Sequence, residues 1–136
     1  MIYLTGSNGL VGSRFLEIYD KEITKISYRN EVSDVFQSHE NSCLIHLAWS
    51  STTRNTYDKF EKVIKNDVTN SKILFDYYTN KNPNGKIIFV SSAGDLHLGH
   101  SRTVWEDHEP SPHSLYGECK LHVENILKEL PCKTVV

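Results

Sequence analysis

The sequence predicts an α/β domain built on a doubly wound parallel sheet. Short β-rich runs alternate with longer helical patterns, and a glycine-rich turn joins the first run to the first helix. A chain of 136 residues with 38% apolar content is enough for one packed core, so residues 1–136 are read as one domain. Alternating strands and helices need crossover connections, and right-handed crossovers put helices on both sheet faces.

Four apolar runs bounded by turn or polar residues are predicted as buried strands: Met1–Thr5, Ile23–Ser27, Cys43–Leu47 and Lys86–Ser91. Lys133–Val136 begins a fifth. Leu10, Val11, Phe15, Leu16 and Ile18 predict a helix after the glycine turn. A second helix follows from the single stripe Phe60, Val63, Ile64, Asp67, Val68, Ser71, Leu74, Phe75 and Tyr78. A third spans His113–Leu130, with Tyr116, Cys119, Val123, Ile126, Leu127 and Leu130 on one face and Pro131 ending it. Asn82-Pro83-Asn84-Gly85 is a turn. Gly94–Pro112, polar and histidine-rich, is expected to be a long loop at the carboxyl end of a strand, where such sheets bind ligands.

Composition narrows the function. A net charge of −2 with 24% charged residues gives no basic surface, so nucleic acid is not an expected partner. Neither a membrane span nor a signal peptide is expected. Three widely spaced cysteines, Cys43, Cys119 and Cys132, argue against a disulfide framework and for a reduced, cytoplasmic protein. His97 and His100 flank a glycine with no third ligand in view, and no metal is expected.

Two motifs carry chemistry. Gly6, Gly9 and Gly12, with Ser7, Asn8, Leu10 and Val11 between them, directly follow a strand and open a helix. Glycines there allow a tight turn and close backbone approach to a pyrophosphate, which the helix N-terminus attracts. A ligand-free glycine turn is the plainer alternative. At the end of the second strand no acid stands ready for a ribose 2′-hydroxyl; Arg29 could instead face a 2′-phosphate. NAD is the expected cofactor and NADP the alternative.

Tyr116 and Lys120 lie four residues apart, on one helix face. A phenol with a pKa near ~10 needs a neighbouring positive charge to act as a base at neutral pH, and lysine can supply it. A surface tyrosine and lysine at this spacing would be unremarkable alone. The glycine turn upstream and Ser91-Ser92 at a strand end give the pair its meaning.

These segments together resemble the extended short-chain dehydrogenase/reductase family, in its NAD-dependent epimerase/dehydratase branch. The resemblance rests on Thr5 through Gly12, on His46-Leu47-Ala48-Trp49 (similar to a His-x-Ala-Ala segment), and on Asn66-Asp67-Val68 with Ser71. Val90-Ser91-Ser92 and the stretch from Glu106 through Pro112, Tyr116, Gly117 and Lys120 complete it. It implies a Rossmann-type sheet, lacking here the C-terminal substrate domain of a family whose members run well over twice this length. It implies Tyr116 as acid/base, Lys120 as its activator and ribose ligand, and Ser92, with Ser91 the alternative, as the hydroxyl orienting the substrate. Leu47, Ala48, Trp49 and Val90 would line the cofactor site, and Asn66 and Asp67 compete for one asparagine position of the family. Asp67 falls on the apolar stripe, where a lone carboxylate needs a partner. A Val-Tyr-Gly loop common in the family reads Leu96-His97-Leu98 here.

Dehydratases of this family resemble one another in an acid pair just after the serine or threonine, where this chain has Ala93 and Gly94. The resemblance therefore implies proton and hydride transfer alone: C4 epimerisation of a nucleotide-diphosphate sugar, as in a UDP-glucose 4-epimerase. A keto-sugar reductase and a non-catalytic dinucleotide-binding module are the alternatives. Relatives dimerise through a four-helix bundle, here the helices Tyr57–Thr79 and His113–Leu130, whose outward aliphatics include Ile73 and Leu121.

Overall fold

The structure, a computed structural model, describes residues 1–19, 21–27, 32–54, 57–97, 103–105 and 107–136. Arg29, Glu106 and His100 lie outside the described residues.

Five short strands form one parallel sheet: β1 (Ile2–Thr5), β2 (Ile23–Ile26), β3 (Cys43–His46), β4 (Lys86–Phe89) and β5 (Lys133–Val135), in the order β2-β1-β3-β4-β5. The strand order reverses between β1 and β3, so the crevice at their carboxyl ends is where a doubly wound sheet receives a ligand. Register fixes what stands there. Thr5 pairs with His46 and His46 with Phe89, so Gly6, Leu47 and Val90 leave the sheet side by side.

Side chains alternate across the strands. Tyr3, Leu44, Ile87 and Phe89 face one buried cluster with Leu74, Phe75 and Tyr78 of helix α3 (Asn70–Lys81) and Leu115, Cys119, Val123 and Leu127 of helix α5 (Leu115–Lys128). Full burial of each large side chain contributes about 1.5–3 kcal/mol, enough to fix which helix faces look inward. Tyr3, Phe36 and Tyr78 pack edge to face at 5.0 to 6.1 Å, tying the segment before β3 to the core. Ile45 and Ile88 alternate to the opposite face, and helix α1 (Leu10–Ile18) contributes nothing to the cluster. Leu10 is 90% exposed, Ile18 70% and Val135 43%.

Three expectations are corrected. The stripe predicted as one helix is a 3-10 turn (Tyr57–Lys59), a short helix α2 (Phe60–Val63), a π-helical stretch (Ile64–Thr69) and then α3. Phe60, placed on the inward stripe by a uniform period, is 45% exposed. The wider π turn shifts the phase of the stripe, as such turns commonly do beside functional sites. The segment Gly94–Pro112 is not wholly irregular: Ala93–Leu96 forms a single-turn helix, α4. Its cause is local, since the Ser92 side chain accepts from the Asp95 amide and caps the turn. Helix α5 starts at Leu115 rather than His113, because Ser114 caps it by accepting from the Gly117 amide at 3.0 Å.

Candidate functional site

The glycine turn is shaped by two glycines the fold needs and one it does not. Gly6 has φ +72°, the conformation glycine tolerates, and a β-carbon there would meet Leu47 and Ala48 backbone at 2.6 Å. A β-carbon on Gly12 would stand 2.2 Å from the Gly6 carbonyl oxygen. Gly9 is different: its backbone is extended, and a β-carbon would lie 3.3 Å from Gly6 O. Gly9 lines the crevice, and no side chain caps the helix N-terminus it begins. An uncapped nine-residue helix with room at its N-cap fits an anionic ligand. Ser7 is half-buried in this turn, while Asn8, Leu10 and Val11 are exposed.

The crevice has a volume of about 540 Å³ and is walled by Gly6, Gly9, Leu47, Ala48, Trp49, Ser50, Asn66, Asp67 and Asn70. Its β3 wall is held from beneath. Thr5 Oγ1 accepts from the amides of Leu47 (3.2 Å) and Ala48 (3.1 Å). With its lone pairs so used, its proton goes to His46 Nδ1 at 2.7 Å. His46 Nε2 therefore carries the ring proton and donates to Ser71 Oγ at 2.9 Å, and Ser71 donates to the Asp67 carbonyl. Burial first, then the charge of Lys120, lowers the His46 pKa to about 3, so the ring is neutral.

Asp67, 2% exposed, has the partners a buried carboxylate requires. Oδ1 accepts from the Ser50 amide (2.8 Å) and hydroxyl (2.7 Å), and Oδ2 from the Ser51 amide (2.9 Å). The π turn that carries it also brings Asn66 and Asn70 to the crevice.

Beyond this wall stands the tyrosine–lysine pair. Trp49 connects the two regions, since it lines the crevice and packs edge to face on Tyr116 at 6.2 Å. Ser92 stands beside Tyr116, close enough to act on its phenol. Ser92 Oγ donates to Asp95 Oδ2 at 3.0 Å, and Ser114 Oγ donates to Asp95 Oδ1 at 3.1 Å. Burial, then the charges of Asp95 and Asp67, raise the Tyr116 pKa above its ordinary value, against the smaller lowering by Ser92. The phenol is thus held protonated. Ser91, the alternative to Ser92, turns its hydroxyl to Glu124 instead. Gly117 lets α5 approach α4, for a β-carbon there would lie 2.8 Å from Asp95 O.

Lys120 is buried, and its Nζ donates to Val90 O at 2.8 Å. Desolvation lowers its pKa to about 8, against the raising charges of Asp67 and Glu124.

Sequence reasoning missed Asp95, Ser50, Ser51, Asn70 and the bracing by Thr5. For Asp95 a signal was present: Ser92-x-x-Asp95 has the spacing of a helix cap. Among the described residues no group of three or more His, Cys, Asp or Glu could hold a metal ion, and no helix is long and apolar enough to cross a membrane. The three cysteines are free.

The sequence model of the NAD dependent epimerase/dehydratase family matches residues 2–131. No curated protein sequence matches significantly. Among solved structures, the chain is similar to MoeE5 in complex with UDP-glucose and NAD, at 17% identity and a TM-score of 0.80, covering 98% of this chain and 52% of that one. It is similar to UDP-glucuronic acid 4-epimerase from Bacillus cereus in complex with NAD (18%, TM-score 0.80, 98% and 53% covered). It is also similar to dTDP-4-dehydrorhamnose reductase from Bacillus anthracis str. Ames in complex with NADP (17%, TM-score 0.81, 98% and 50% covered). The chain spans about half the length of these structures. At such identities the likeness is one of fold.

Proposed function

The chain belongs to the NAD dependent epimerase/dehydratase family, and on that premise we propose that it serves NAD-dependent proton and hydride transfer at a carbon of a nucleotide-diphosphate sugar, with C4 epimerisation as the reaction. The observation that carries this reading is that Trp49 lines the crevice opened by an uncapped helix N-terminus and also packs on Tyr116. Gly6, Gly9 and Gly12 would cradle the pyrophosphate, with Leu47, Ala48, Trp49, Val90 and the Asn66–Asp67 turn around the rest of the cofactor. When bound, oxidised nicotinamide supplies a hydride acceptor and positive charge.

Tyr116 exchanges the proton of the sugar hydroxyl, and Ser92, rather than Ser91, orients that oxygen. Lys120 would place positive charge near the phenol, its ammonium lying 5.5 Å from the Tyr116 ring centroid. Asp95 fixes Ser92 by accepting its hydrogen bond. No carboxylate stands directly after the serine, which favours transfer without elimination of water. The Asp95 carboxylate is occupied by the Ser92 and Ser114 hydroxyls and is read as a positioning group.

The same reading takes the protein to be cytoplasmic, in keeping with its free cysteines. It also takes the protein to be a homodimer through its two long helical segments; α3 exposes Ile73 (43%) and Tyr77 (41%), while Leu121 of α5 is half-buried.

The test is turnover of UDP-glucose or UDP-galactose with catalytic NAD, with Tyr116→Phe alongside. Interconversion lost at least ~10³-fold in the variant while NAD binding persists supports the assignment. A Tyr116→Phe chain that keeps its rate refutes it. Stoichiometric consumption of NADPH with a 4-keto sugar would mark a reductase using the same residues. Binding of neither NAD nor NADP would sink the whole reading.

A further inference from the structure

Lys120 is 4% exposed, yet its ammonium meets one hydrogen-bond acceptor, Val90 O. Three ring faces also surround it: Trp49 with its centroid 3.8 Å from Nζ, Phe89 at 4.7 Å and Tyr116 at 5.5 Å. An ammonium has three donors, and an aromatic face attracts those left over through its quadrupole. Indole does this best, and the indole is also the nearest of the three rings.

Phe89 and Tyr116 have other duties. Phe89 is a core residue stacked on His46 at 5.7 Å, and Tyr116 stands beside Ser92. Trp49 comes instead from the irregular chain after β3, and it stands where the segment His-x-Ala-Ala has a small residue. Its Nε1 is buried without a hydrogen-bond partner, so the indole is not placed there by its own polar atom. A bulky ring with an unmet donor, laid flat over a buried charge, needs a reason that packing alone does not give.

We propose that Trp49 is a positioning residue for Lys120: its indole face holds the ammonium charged and beside Tyr116. The inference rests on the reading of Lys120 as the charge that serves Tyr116, but it concerns the lysine itself and is testable without cofactor. The groups facing the ammonium are Asp67 from the π turn, Tyr116 and Glu124 from α5, and neutral His46 from β3. Asp67 and Glu124 favour the charged form, and burial opposes it more strongly. The indole adds to the side of the charged form.

The experiment follows the 13Cε signal of Lys120 against pH in the full chain, assigned with Lys120→Arg, in a Trp105→Phe background; Trp105 is 67% exposed and remote from this role. In Trp49→Leu the titration midpoint should fall by about one pH unit. With a fluorinated tryptophan at position 49, which keeps the ring shape and weakens its quadrupole, it should fall by a smaller step, growing with the number of fluorines. An unchanged midpoint across the fluorinated series overturns the inference, and that series decides alone should the leucine variant not fold. NAD titration of the parent chain is scored separately. A chain that binds no nicotinamide yet shows the fluorine-dependent shift would refute the functional reading and leave the Trp49–Lys120 coupling standing.

Discussion

The Gly6 α-carbon lies so close to Ala48 that a β-carbon on it would stand 2.6 Å from the Ala48 amide nitrogen. The turn after β1 and the chain leaving β3 are thus in backbone contact, and Gly6 is a fold requirement as well as part of the crevice. Its φ of +72° adds a left-handed penalty for any side chain. Gly6→Ala should destabilise the chain by about 3 kcal/mol or more, from overpacking and backbone strain together, read by urea denaturation.

Gly9→Ala separates binding from folding. With φ −78° and ψ 171°, position 9 suits alanine, and its closest new contact would be the Gly6 oxygen at 3.3 Å. Stability should stay within about 1 kcal/mol of the parent, while NAD affinity measured by calorimetry falls at least ~10-fold because the methyl group enters the pyrophosphate space. Unchanged affinity would mean the cofactor does not pass over Gly9.

The two serines after β4 should behave oppositely. Ser92 donates to Asp95 and stands beside Tyr116, whereas Ser91 is bonded to Glu124. Ser92→Ala should slow turnover by about 10–100-fold with little change in NAD affinity, and Ser91→Ala by no more than a few fold. Comparable losses in both would return the assignment to Ser91.

His46 makes stability depend on acid. Its folded pKa is lowered from 6.5 to about 3, so between these values the unfolded chain binds a proton that the folded chain refuses. The contribution is complete above pH 6.5 and drains away as pH falls towards about 3. At ~1.4 kcal/mol per pH unit, about 2–3 kcal/mol should be gone by pH 4.5. Urea midpoints for the parent and His46→Gln should therefore converge as the pH is lowered from 7 to 4.5. Parallel curves would show that the ring does take a proton in the fold.

The sheet was legible because continuous apolar runs such as Tyr3-Leu4 and Ile87-Ile88 leave few alternatives to a strand covered on both faces. The crevice was legible through Gly6, Gly9 and Gly12, whose spacing is itself the backbone constraint. Asp95 escaped because its meaning depends on a single helical turn inside a polar stretch, a feature with no hydrophobic period to announce it. The π turn escaped for the opposite reason: the stripe from Val63 to Tyr78 fits a uniform period well enough to hide a wider turn within it. Asp67 was recognisable as a carboxylate in need of a partner. That Ser50 and Ser51 supply it depends on how the chain folds back after β3, which local sequence does not encode.

The hydrogen bonds through Thr5, His46 and Ser71 all run in one direction, ending on the Asp67 carbonyl. An imidazole bracketed in this sense offers no electron pair to the crevice above it, so it is a strut and cannot relay protons to Tyr116. It is likewise closed to electrophiles: diethyl pyrocarbonate would acylate position 46 only when the domain opens. The lag between surface histidines and this one would then serve as a clock for that opening.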